Sequence, residues 1–159
     1  LPRPAGVRVI PVVSAAQMKK AVMESLNGTD ALIMAAAVAD YRPAVVARRK
    51  IKKKGGIAEL TLEPTEDILV AVSEEKGDCV VVGFAAETDN VVENAREKLV
   101  AKDMDMVVAN KIDEADSGFA ARTNMAAVIV PETGDVELSM MSKVELADLL
   151  LDRVAVILG

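Results

Sequence analysis

Two rhythms of apolar and polar residues alternate along this chain, and the switches between them predict its elements. Residues 7–12, VRVIPV, read as a short strand. Ser14 with Gln17 three positions on is a capping-box signature, and Ala15, Met18, Val22 and Leu26 then lay an apolar stripe along one helix face until Gly28 ends it. Residues 31–37, ALIMAAA, form an unbroken apolar run of the kind found in strands buried on both faces. Residues 58–63, AELTLE, alternate as a half-buried strand does, and Thr65 is placed to cap a helix over 66–76. Another buried strand is predicted at 79–84, CVVVGF, followed by a helix over 88–102 and a strand over 105–109, DMVVA.

The last third changes character. AAVIV at 126–130 and DVELS at 135–139 flank Pro131, Thr133 and Gly134, which signals a hairpin and not a crossover. Ser142 with Glu145 is a second capping box and opens a closing amphipathic helix to about residue 157. Strands separated by helical segments predict a mostly parallel, doubly wound α/β sheet with an antiparallel C-terminal hairpin at one edge.

Composition narrows the chemistry. At 159 residues the chain fits a single domain, 1–159. It contains no histidine, which removes Ser-His-Asp triads, imidazole acid–base catalysis and His-ligated metals. The single cysteine, Cys79, permits neither an internal disulfide nor a cysteine zinc cluster, so a reducing cytoplasm is the natural compartment. No apolar run is long enough for a membrane span, and no signal peptide opens the chain. The opening LPRPAG does not begin with Met and reads as linker, so the chain is expected to be part of a longer protein. Aromatic residues are scarce: Tyr41, Phe84, Phe119 and no tryptophan. Stacking platforms for nucleic acid are therefore not expected.

Charge is segregated. Residues 42–54, RPAVVARRKIKKK, hold seven of the nineteen cations and none of the twenty-five acids, so the rest of the chain carries −13 within a total of −6. One basic loop on an acidic body suits a small polyanion held locally rather than a nucleic-acid duplex. Lys50, Lys52, Lys53 and Lys54, closed by Gly55 and Gly56, read either as a cationic flap for phosphate or as a solvated charge run.

In an open parallel sheet, ligands sit beyond the carboxyl ends of the strands. Three segments leave such ends: AAAVADYRP, GFAAET and ANKID. All three aromatics fall in or near these loops, where they contact a ligand or cap the loops apolarly. Ala35, Ala36 and Ala37 either admit a planar base or sugar to the backbone or pack a helix closely. Asp40 is placed for a ribose hydroxyl, a base amino group or a metal-bound water, or is an exposed loop aspartate. Lys98 and Lys102 share a helix face, as a second phosphate contact or as its wet side. No GxGxxG, GxxxxGK[ST] or metal-spaced carboxylate cluster occurs, so residue types alone lead to an α/β domain for a phosphorylated, nucleotide-sized anion.

A longer pattern goes further. MAAAVADYRP, KIKK, PTEDIL, VVGFAAET, ENAREKL, DMVVAN, GF with TN, and MSK before the last helix occur in one order across nearly the whole chain. This order resembles the phosphopantothenoylcysteine synthetase family (phosphopantothenate–cysteine ligase), usually the C-terminal half of a bifunctional coenzyme A flavoprotein. The resemblance implies a Rossmann-like three-layer α/β/α sandwich and a homodimer. It implies CTP with Mg²⁺ as co-substrate, with FMN confined to a fused decarboxylase outside this chain. It also implies ligation of 4′-phosphopantothenate to cysteine through an acyl-cytidylate. By motif match, Ala36, Ala37, Asp40, Glu66, Asp67, Ile68, Leu69, Phe84, Lys98 and Lys102 fall at nucleotide-binding positions. Lys50 falls at the lysine serving the acyl-nucleotide chemistry, and Lys52, Lys53 and Lys54 fall in the flap. Asn110 lies in a matching segment without an assigned role.

Three departures qualify the match. The family's PTPDIL is PTEDIL here, which puts Glu66 in the nucleotide loop. Its GFGSDTN is GFAARTN at 118–124, which leaves ligand contacts there unassigned. The family's N-terminal glycine-rich turn, first strand and essential asparagine have no counterpart in the sequence, so the 159 residues alone are expected to lack turnover. A nucleotide-binding module without turnover, or a structural, oligomer-supporting part of a flavoprotein, are the alternative readings.

Overall fold

The computed structural model describes residues 4–47, 49–50, 59–112, 123–131 and 136–159. Helix α1 (Ala15–Leu26) leads into strands β1 (Ala31–Met34), β2 (Tyr41–Pro43) and β3 (Leu62–Pro64). Helix α2 (Ile68–Ser73), strand β4 (Val80–Glu87), helix α3 (Val91–Ala101) and strand β5 (Met106–Lys111) follow. Strands β6 (Thr123–Ile129) and β7 (Val136–Ser142) and helix α4 (Lys143–Leu158) complete the order. The main sheet runs β1-β4-β5-β6-β7, with β1, β4 and β5 parallel and β6 and β7 antiparallel to their neighbours. This is the expected Rossmann-like α/β fold with its C-terminal hairpin at one edge.

Alternation along the strands builds two cores. Val81, Ala85, Val107, Ala109, Ala127 and Ile129 face α1, α2 and α3. Val80, Val82, Met106, Val108, Ala126 and Val128 face Leu146, Leu150 and Val154 of α4. Because β4 and β5 are covered on both sides, their sequences are continuously apolar. Gly83 sits where β4 passes closely beneath other side chains: a Cβ there would lie 2.2 Å from Met104 Sδ. At the amino-terminal end of the sheet, Asp105 accepts from the Val81 N–H at 2.7 Å and from Lys76 Nζ at 3.2 Å, which ties the start of β5 to β4.

Both capping signatures form, with a difference. At α4, Ser142 Oγ accepts from the Glu145 N–H while Glu145 Oε2 accepts from the Ser142 N–H. At α1, Ser14 Oγ accepts from the Gln17 N–H, but the Gln17 side chain reaches one residue further back, to the Val13 N–H. Gly28, at φ +75°, takes the chain out of α1 through a left-handed turn.

Several boundaries differ from the sequence expectations. Residues 7–12 are not a strand: among the described residues nothing pairs with them, β1 is the sheet edge, and Val7, Val9, Ile10 and Val12 are exposed. An apolar, β-branched run becomes a strand only where a neighbour accepts its backbone bonds. β1 ends at Met34 rather than 37, and β3 covers 62–64 rather than 58–63. Asp67, not Thr65, caps the next helix, which spans 68–73 instead of 66–76. The following helix begins at Val91 rather than 88, after Asn90 in a left-handed conformation.

Candidate functional site

The site is a consequence of β1 being short. Met34 pairs with Gly83, and β4 continues past it to Glu87 without a strand partner on that side among the described residues. The chain leaves β1 through the small residues 35–39, enters the two-stranded ribbon β2–β3, and returns through 64–67 to α2. The two loops are tied at the foot of the ribbon. The Thr65 N–H donates to the Asp40 carbonyl at 2.8 Å, and the Thr65 hydroxyl donates to the Ala39 carbonyl. Thr65 therefore serves as a tie between loops, which leaves the capping role to Asp67.

Between the loops lies a cleft of about 380 Å³, bounded by Ala36, Ala37, Asp40 and Tyr41 on one side and by Thr65 to Leu69 on the other. Phe84 and Lys102 close it. Asp67 accepts from the Leu69 N–H at 3.0 Å and the Val70 N–H at 3.3 Å, and Lys102 Nζ lies 2.8 Å from its other oxygen. Burial pushes the Asp67 carboxyl up, but the Lys102 ammonium and the two backbone donors outweigh it and hold it below the ordinary aspartate range. Glu66 points to α1, where Lys19 Nζ donates to Oε2 at 2.9 Å; that bond and charge hold its carboxyl below the ordinary glutamate range.

Asp67 thus performs two tasks, capping α2 and anchoring Lys102. Asp67→Ala is expected to cost about 1 kcal/mol of stability at neutral pH. A carboxylate whose folded pKa is depressed stabilises above its unfolded value and loses that contribution as pH falls through the folded one. Urea midpoints of wild type and variant should therefore converge on acidification below the ordinary aspartate range; a gap independent of pH would remove the charge from the account.

Of the predicted nucleotide residues, the fold brings together Ala36, Ala37, Asp40, Glu66, Asp67, Ile68, Leu69, Phe84 and Lys102. Lys98 is not among them. Its ammonium donates to Glu87 Oε1 at 2.6 Å, beside Asn94, which donates to Glu87 Oε2 at 3.1 Å. Lys50, in the arm of residues 44–61 that joins β2 to β3, is exposed and does not line the cleft. Lys52, Lys53 and Lys54, with Phe119 and most of the 118–124 loop, lie outside the described residues. Asn110 is also outside the cleft, on β5 beside Ala86 and Ala126, with a buried Oδ1 that has no hydrogen-bond partner among the described residues. Sequence reasoning missed Thr65 as a tie and Lys19 as the partner of Glu66; no local pattern distinguishes either from a surface residue.

Two other features carry no such chemistry. A wider depression of about 700 Å³ lies at the amino-terminal end of the strands, lined by Asp30, Glu75, Asp78 and Asp105, with Lys76 engaged by Asp103 and Asp105. Its acidity disfavours an anion, and among the described residues no group of three or more potential ligands could hold a metal. Cys79 is buried, and burial together with the nearby Asp105 charge pushes its thiol up, away from the nucleophilic thiolate. Among the described residues no helix is long and apolar enough to cross a membrane.

Comparison with known proteins agrees with this architecture. The family model described as the DNA/pantothenate metabolism flavoprotein C-terminal domain matches residues 1–157. The Coenzyme A biosynthesis bifunctional protein CoaBC of Bacillus subtilis is 40% identical over 156 residues, which cover 98% of this chain and 38% of that protein. The chain therefore spans well under half the length of this curated relative. The crystal structure of the C-terminal domain of a CoaBC protein superposes with a TM-score of 0.80 at 34% identity, covering 99% of this chain and 69% of that one. A Cab2 H337A mutant in complex with phosphopantothenate-cysteine shares the fold, with a TM-score of 0.69 at 17% identity over 94% of this chain and 52% of that one.

Proposed function

Because this chain belongs to the family of DNA/pantothenate metabolism flavoprotein C-terminal domains, we propose that it serves coenzyme A biosynthesis as a phosphopantothenate–cysteine ligase domain. The proposed reaction joins 4′-phosphopantothenate to cysteine at the expense of CTP. One observation carries the reading. Ala36, Ala37, Asp40, the 66–69 loop, Phe84 and Lys102 come from separate stretches of sequence, yet they line one cleft of nucleotide size.

In the first step a carboxylate oxygen of phosphopantothenate attacks the α-phosphorus of CTP, and the bond to the leaving diphosphate breaks. A carboxylate is already ionised at neutral pH, so this step needs no histidine or other base. In the second step the cysteine amine attacks the acyl carbon, the bond to CMP breaks, and the amine loses a proton. Positioning and charge neutralisation dominate both steps. Ala36 and Ala37 let the base and sugar approach the backbone, and Asp40 accepts from a ribose hydroxyl or base amino group.

The cleft lining alone would repel a triphosphate, since Asp40, Glu66 and Asp67 face a single lysine, Lys102. Further cations are therefore needed from outside the lining, and the arm offers them, with Lys50 at the reacting phosphate, Lys52, Lys53 and Lys54 as a covering flap, and Mg²⁺ arriving as the CTP complex. Homodimerisation and an FMN-dependent decarboxylase elsewhere in the protein complete the proposal.

The test is diphosphate release from CTP by the full-length protein, measured with phosphopantothenate in the presence and absence of cysteine. Release that depends on phosphopantothenate is expected, with amide product only when cysteine is added; nucleotide binding without release would leave a binding module. In the same protein, Asp40→Ala should weaken CTP binding by about 1.5–3 kcal/mol, the value of a charged hydrogen bond. Its unliganded melting temperature should hardly move, because Asp40 is an exposed loop residue. Unchanged CTP affinity would remove Asp40 from the site.

A further inference from the structure

We infer that Lys19 is a further phosphate-contacting residue of this cleft, parked on Glu66 until a polyanion displaces that carboxylate. The inference rests on the nucleotide reading above and adds to it a residue and a device outside the family match, since the family pattern has proline where this chain has Glu66.

The geometry supplies the parts. Glu66 is a cleft-lining residue and Lys19 Nζ lies 2.9 Å from its Oε2, so the α1 ammonium is one side chain away from the lining. The two side chains are unequally exposed, 29% for Lys19 and 77% for Glu66. Glu66 can therefore return to water without a desolvation cost, while Lys19 stays against the protein. A second pair in the same loop repeats the arrangement: Lys102 lies 2.8 Å from Asp67, whose carboxylate keeps the Leu69 and Val70 N–H groups if the lysine leaves. Both rim carboxylates can thus release a cation without being left unsatisfied. Arg42, which also draws Glu66 toward its charged form, is itself engaged by Glu63 at 2.8 Å, so Lys19 is the cation that Glu66 governs directly.

A triphosphate carries more charge than one carboxylate, and charge-assisted bonds to it are strong. Lys19 is therefore transferred to phosphate on binding, and Glu66 acts as a built-in competitor that lowers affinity. Exchange of partners makes a statement that bulk electrostatics does not: the effect of Glu66 must shrink when Lys19 is absent.

The experiment is calorimetric titration of Mg²⁺–CTP and of cytidine into the full-length wild type, Lys19→Gln, Glu66→Gln, the double variant and Lys19→Arg. Lys19→Gln should weaken CTP about tenfold and leave cytidine unchanged, and Lys19→Arg should restore most of the loss. Glu66→Gln should tighten CTP roughly threefold, the strength of an exposed pair, and should have a clearly smaller effect, that of the field alone, in the Lys19→Gln background. Equal tightening by Glu66→Gln in both backgrounds would overturn the inference in favour of a general field. So would unchanged CTP affinity in Lys19→Gln, or equal losses for CTP and cytidine. A wild type that binds cytidine and CTP alike but turns over overturns only the parked lysine; one that binds neither overturns the nucleotide reading and the inference with it.

Discussion

Lys50→Gln is expected to lower amide-forming turnover of the full-length protein at least about a hundredfold, the cost of removing a group aimed at charge that develops in the transition state. The cleft offers Lys102 against three carboxylates, and Lys102 is already held by Asp67. Even with Lys19 and Lys102 transferred to phosphate, a pentavalent phosphorus with departing diphosphate carries more charge than the two supply and needs a further cation. Lys50 is exposed and outside the cleft lining, so the proposed role requires it to reach the reacting phosphate in the liganded protein. A diffuse cloud of cations would behave otherwise: each lysine would then be worth a few tenths of a kcal/mol, and Lys53→Gln would cost as much as Lys50→Gln. Steady-state turnover at saturating CTP, phosphopantothenate and cysteine separates the two. Similar losses at both positions would remove Lys50 from the catalytic list.

Met106→Ala should give the largest loss of stability, about 2–5 kcal/mol. Met106 is fully buried on β5 between β4 and β6, in the core that faces α4. Its truncation removes apolar contacts and leaves a cavity that flanking strands, bonded on both sides, cannot close. For a chain of this size the melting temperature should fall by roughly 4–20 °C. The cleft takes its apolar wall from Met34, Ile68 and Leu69, on the other core. CTP affinity measured well below the melting temperature should therefore be close to that of wild type. A large affinity loss in the folded variant would mean that the two cores are coupled through the sheet.

Legibility from sequence followed the range of the interactions involved. The Ser14 and Ser142 caps and the buried strands expected at 79–84 and 105–109, found at 80–87 and 106–111, were readable because their signals are local or unambiguous in composition. The 7–12 segment carries the same composition as a strand, but pairing is a non-local property, and here no described neighbour supplies it. Thr65 and Asp67 are both good capping residues two positions apart; only the proximity of the Ala39 carbonyl decides which one caps. The same limit applies at the site. Ala36, Ala37 and Asp40 were found because they follow a strand end, whereas Phe84, expected at one too, lies inside β4, which runs on to Glu87. Lys98 and Lys102 share a face in sequence, yet Glu87 takes one and Asp67 the other. Lys19 has no sequence signal at all, since its partner lies 47 positions away.

The tie at the foot of the ribbon has an engineering consequence. Thr65 fastens the two walls of the cleft to each other through the carbonyls of Ala39 and Asp40, and the β2–β3 ladder from Tyr41–Pro64 to Pro43–Leu62 continues the seam. Whatever is inserted between Pro43 and Leu62 therefore hangs from a closed frame. The entropy of closing a flexible loop grows only with the logarithm of its length, about 0.6 kcal/mol for each doubling. The arm is in this sense an exchangeable cassette. Its length and charge can be redesigned, or grafted from another protein, while the cleft that it serves keeps its shape.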